Sequence, residues 1–149
     1  LFVKHGIYTE EEVRARYEIH VENYRTVLSI EAGTMIDMIR HEILPAVSGC
    51  AAELCERAFK KKEMGSSCRY ETSTSQKLSA LTDTLMDGCA KLEADLAAIP
   101  SGAETAMRYC HDVLIPDMTA ARKTADQLEA LTDAKAWPFP VYSELLFSV

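Results

Sequence analysis

Residues 29–49 read SIEAGTMIDMIRHEILPAVSG. Within them Ala32, Met35, Ile39, Ile43 and Ala46 recur at helical spacing, the stripe a helix needs to bury one face. The stripe extends backward through Val13, Tyr17, Val21, Tyr24 and Leu28, and forward through Cys50, Leu54 and Ala58. Its steps of 4, 4 and 3 add up to an eleven-residue period that drifts little around a straight helix. A helix of about 50 residues would be about 75 Å long at 1.5 Å per residue. A rod of that length needs partner helices to cover its apolar side.

The rest of the chain supplies them. Residues 1–8 form a short lead-in broken by Gly6. Thr9 and Glu12 make a capping box ahead of the long helix, which runs to about Glu63 and ends at Gly65-Ser66-Ser67. Gly33 and Pro45 are the two places where it is expected to bend or break. Residues 66–74 read as a loop, and Ser73–Gln76 as a second capping box. The helix after it carries Leu78, Leu81, Leu85, Cys89, Leu92, Leu96 and Ile99, and Pro100 stops it. Ser101 and Glu104 form a third box. It opens a helix with Ala103, Met107, Cys110, Leu114, Met118, Ala121, Ala125 and Leu128 on one face, a kink at Pro116 and an end at residues 132–136. Short loops between long helices force antiparallel neighbours. The expected fold is all-α: one domain over residues 1–149, an antiparallel up-down bundle of three long helices, or four if the first breaks, with an extended Trp/Pro-rich tail over residues 137–149.

Composition narrows the function classes. A net charge of −7 argues against nucleic acid and anionic membrane as partners, since both require clustered positive charge. The one basic cluster, Lys60-Lys61-Lys62, reads as a solvated helix C-terminus. No apolar run approaches the ~20 residues of a membrane span. Five scattered cysteines without a CxxC pair suit a reducing cytoplasm. The chain starts at Leu1 without an initiator methionine, which suggests a piece of a longer protein.

Motifs for chemistry are missing. A di-iron bundle needs Glu-x-x-His pairs, but Phe2, Tyr17, Met38 and Arg108 stand three residues before the four histidines. HExxH, zinc spacings and phosphate-binding glycine loops are absent as well. Cys110 lies beside His111, but neighbours on a helix point about 100° apart, so the cysteine reads as core rather than nucleophile. No catalytic, cofactor or metal residue is assigned. The candidate site is the tail. Pro138 and Pro140 hold it extended, and after them Tyr142, Leu145, Leu146 and Val149 fall on one face of a short helix. With Trp137, Phe139 and Phe147 this is too much apolar surface to leave in water. Such a tail either folds back over the bundle groove or docks on a partner. Trp137 is expected to be buried in both cases.

Several blocks carry a resemblance. They are RYEIHVENY at 16–24, IEAGTMIDM at 30–38 with EILPA at 42–46, DVLIP at 112–116, ARKTADQLE at 121–129 and WPFPVYSELLF at 137–147. In order and spacing they resemble the C-terminal region of type III glutamine synthetases, the large bacterial form of glutamate–ammonia ligase. The WPFP-x-Y-x-x-LLF ending is the most specific part. The resemblance implies a parent enzyme that joins ammonia to glutamate through a γ-glutamyl phosphate, using ATP and Mg²⁺ or Mn²⁺. It implies that those cofactors and the catalytic residues belong to an upstream domain, with none in this segment. Gly33 stands where the family pattern leads one to expect a stronger helix former. The expected role is a non-catalytic domain serving oligomer assembly or regulation, its partners the upstream catalytic domain and neighbouring subunits of a homo-oligomer. The alternative is a free-standing cytoplasmic interaction or sensor module.

Overall fold

A computed structural model describes residues 1–140 and Leu146. Its elements are α1 (Glu10–Met38), a first π-helical turn (Ile39–Ile43), α2 (Leu44–Glu63), α3 (Arg69–Ala97), α4 (Ala103–Tyr109), a second π-helical turn (Cys110–Leu114) and α5 (Ile115–Glu129). Among the described residues there is no strand. The π turns join α1 to α2 and α4 to α5 without a break, so the described residues form three long helical rods. The first stays helical through both Gly33 and Pro45.

Polar pairs fix how the rods run. Lys61 meets Glu71 and Arg40 meets Glu93, so α3 returns antiparallel to the first rod. Tyr109 meets Asp95 and Lys91 meets Asp117, so the third rod runs antiparallel to α3. The core lies on the common axis. It takes Ala32, Ile36, Ile39, Ile43, Val47 and Leu54 from the first rod, Leu78, Leu85, Cys89 and Leu92 from the second, and Cys110, Leu114, Ala121 and Leu128 from the third. Most are positions the helical stripes single out, because a face that is apolar once per turn has no other way to leave water. Ile36 and Val47 are buried where the stripe pointed one residue earlier, to Met35 and Ala46, which are only half-buried.

The rod ends show where local chemistry held and where packing overrode it. Thr9 and Glu12 do form the expected box: the Glu12 N–H donates to Thr9 Oγ1 at 3.2 Å and the Thr9 N–H to the Glu12 carboxylate at 2.8 Å. At the other end of the first rod Gly65 is left-handed, with φ +69°. Its N–H donates to the Lys62 carbonyl and that of Ser66 to the Lys61 carbonyl, satisfying two carbonyls that a helix end leaves free.

The second expected box is not a helix start. α3 begins at Arg69, and residues 69–74 lie inside the helix rather than in a loop. The Ser73 and Ser75 hydroxyls donate back to the carbonyls of Tyr70 and Thr72 at 3.2 and 3.1 Å, so they do not compete for backbone N–H groups. The added turn brings Glu71 onto Lys61. The third box does not form either. Gly102 is the cap residue with no side-chain bond to the helix start, and Glu104 is turned to Arg108 at 2.9 Å.

Candidate functional site

Each π turn ends immediately before a proline-led helix: Leu44-Pro45 open α2 and Ile115-Pro116 open α5. Proline has no N–H to give the fourth carbonyl back, and its ring crowds that carbonyl. The chain answers by widening one turn. The Leu44 N–H reaches the Ile39 carbonyl and the Ile115 N–H reaches the Cys110 carbonyl, each five residues back. The buried positions keep facing the core across the wider turn, since Ile39, Ile43, Cys110 and Leu114 are all within it.

Polar side chains at these turns brace the rods. Arg40, in the first π turn, holds Glu93 of α3 with both guanidinium arms, at 2.7 and 2.5 Å. That bond keeps the Glu93 carboxyl below the usual carboxylate range and pushes the guanidinium's affinity for its proton higher still. Asp95, beside Asp117, accepts from Lys91 at 3.0 Å and from Tyr109 at 3.1 Å; the Asp117 and Lys91 contacts hold its carboxyl low. Lys91 also reaches Asp117 on α5. Glu71 is buried and held low first by its bond from Lys61, so one lysine of the basic cluster ties two rods together while its own side chain stays exposed. His111 bonds its neighbour Asp112 at 2.8 Å on the exposed side of the second π turn. Cys110 is buried, and burial pushes its thiol up, away from nucleophilic reactivity.

A cavity of about 550 Å³ opens between α1 and α5. Met35, Met38, Ile39 and Met118 line its floor and sides, and Trp137, Phe139 and Pro140 form its roof. The roof is built by a turn after α5. Leu131 and Thr132 bond back to Leu128, and the N–H groups of Ala136 and Trp137 donate to the Asp133 carbonyl at 2.8 and 3.0 Å. That turn sends the chain back along the bundle. The Trp137 and Phe139 rings meet edge to face, their centroids 6.2 Å apart. Both are half-buried and pack on the core. Of the other tail residues expected to dock, Leu146 is 57% exposed, while Tyr142, Leu145 and Phe147 lie outside the described residues.

Among the described residues no group of three or more His, Cys, Asp or Glu side chains is placed to hold a metal ion. No helix among them is long and apolar enough to cross a membrane.

The arrangement defines a helical domain with an aromatic-roofed groove. Residues 1–62 match the family model of the glutamine synthetase C-terminal domain. A glutamine synthetase of Butyrivibrio fibrisolvens is 34% identical over 154 residues, covering 100% of this chain and 22% of that protein. A type-3 glutamine synthetase of Dictyostelium discoideum is 27% identical over 99% of this chain and 21% of its own length. A glutamine synthetase of Bacteroides fragilis is 26% identical over 95% of this chain and 21% of its own length. The chain thus spans about a fifth of the curated relatives it matches. It is related to the C-terminal region of glutamine synthetases, the type-3 form included.

Proposed function

We propose that this chain is the non-catalytic C-terminal helical domain of a glutamine synthetase, a cytoplasmic ATP-dependent ligase of ammonia and glutamate, and that it serves assembly of the oligomer. The tail is its docking element. Trp137 and Phe139 anchor the tail to the domain's own groove, and Tyr142, Leu145, Leu146 and Phe147 are offered to the rest of the enzyme or to a neighbouring subunit. ATP and Mg²⁺ or Mn²⁺ belong to the part of the enzyme outside this chain. The two proline turns give the rods a bend that matches them to each other.

The observation that carries the docking role is the contrast within the tail. Trp137 packs on the core, yet Leu146, nine residues further along, is 57% exposed. One exposed leucine is ordinary on a surface; it supports docking here because it follows a tail already held on the groove by Trp137 and Phe139.

Truncation after Pro140 separates the two roles of a tail. The 140-residue domain is expected to melt within a degree or two of the full domain, whereas the full-length enzyme lacking the same residues loses its assembled form in sedimentation. An isolated domain that melts several degrees earlier, with assembly intact, would assign the tail to the core. The domain alone, supplied with ATP, glutamate, ammonia and Mg²⁺, is expected to form no glutamine.

A further inference from the structure

α1 carries apolar side chains on two flanks. One flank, through Val21, Leu28, Ala32 and Ile36, is buried in the bundle. On the other, Tyr24, Val27 and Ile30 are 37%, 50% and 63% exposed. This outer flank leads into the aromatic-roofed cavity, whose wall includes Ile30 and Met38. From Tyr24 to Met38 it is about 21 Å long at 1.5 Å per residue. Scattered exposed apolar residues are normal on a protein surface, but three within two turns of one helix, beside an apolar cavity, mark a contact surface. The N-terminal third of α1 has little cover of its own: within residues 10–20 Val13 alone is half-buried and the rest are exposed.

The lead-in points to what covers this flank. It is folded against the start of α1, with the Arg16 guanidinium 4.5 Å from the Tyr8 ring centroid and Phe2 packed on Tyr8 at 5.8 Å. Backbone bonds from His5, Gly6 and Ile7 to Leu1, Val3 and Phe2 close it into a compact turn. The relatives continue for about four-fifths of their length outside the matched region, which is their C-terminal part. In such a protein the preceding polypeptide joins at residue 1, beside the bare end of α1. A covalent tether of this kind supplies an effective concentration in the millimolar range without any new contact.

We propose that the outer flank of α1, from Tyr24 to the cavity wall at Met38, is the seat of the polypeptide that precedes this domain in the same chain of a full-length glutamine synthetase. This rests on the reading of the domain as part of such an enzyme. It adds which surface is used and that the contact is made in cis.

The test places p-benzoylphenylalanine at Val27, and separately at Ile30, in the full-length enzyme. Both positions are exposed, so the probe replaces no core contact. After irradiation the expected product runs at monomer mass under denaturing conditions, and its mass-mapped cross-link joins the probe to a peptide upstream of residue 1. A dimer-mass product would assign the flank to a neighbouring subunit and overturn the proposal. So would a cross-link to residues 137–149, or none at all in fully labelled protein. A natural gene product no longer than this chain, read from its intact mass, would instead remove the parent enzyme and overturn both readings together.

Discussion

Glu71 shows how one residue links two rods and what that linkage does with pH. Its carboxylate lies in the first turn of α3, buried, with its bond from Lys61 at the end of α2. The Lys61 bond lowers its affinity for a proton below the ordinary value of 4.5. A carboxyl lowered in the folded state contributes stability that is fully present above the unfolded value and lost as pH falls through the folded one. The contribution therefore fades from about pH 4.5 downward. Urea midpoints measured between pH 7 and pH 3 are expected to fall more steeply in this range for the native domain than for Glu71→Gln. Equal slopes would show that the pair contributes nothing. Leu85, fully buried in the middle of α3, is the reference for the core. Leu85→Ala is expected to cost about 2–5 kcal/mol in the same titrations. The core role of Leu85 and Cys110 was legible from helical spacing alone. The Lys61–Glu71 pair was not, because a lysine run at a helix end looks solvated until the next helix is seen to start early.

The π turns are the main lesson among the elements. The prolines announced a disturbance at residues 45 and 116, but not its form. One hint is the spacing of buried residues: Ile39, Ile43 and Val47 follow at steps of four, as do Ala106, Cys110 and Leu114. In a regular helix each such step overshoots a 3.6-residue turn by about 40°, and a widened turn absorbs the excess. The same reasoning sets the outcome for Pro45→Ala. Restoring the N–H would add roughly 3 kcal/mol in an ordinary helix interior. Here it invites a regular turn that rotates Val47 and Leu54 away from the core. The melting temperature is therefore expected to stay level or fall, and a rise of several degrees would refute the account. Capping signals were legible in part. The Thr9 box formed because nothing competes for its groups, whereas the Ser73 motif is also compatible with a helix interior once its hydroxyls bond backward.

At the scale of the whole molecule, three antiparallel rods follow from apolar stripes joined by short connections. The bundle's outer surfaces were less legible. Periodicity reports that Tyr17, Val21, Tyr24 and Leu28 share a side of one helix, but the structure divides them, with Val21 and Leu28 inside and Tyr17 exposed. The tail's apolar content was plain in the sequence. That Trp137 and Phe139 would roof a cavity over α1 and α5 depends on the turn at Asp133, which has no strong signature. Expectation had Trp137 buried, and it is half-buried, one wall of a cavity that remains open. The docking account turns on the residues beyond that roof. Its most direct test is the mass of the full-length enzyme carrying Leu146→Asp, measured by native mass spectrometry beside the unaltered protein. The account predicts a shift from the assembled oligomer to smaller species with unchanged helical content. An oligomer of the same mass and the same stability to dilution would contradict it.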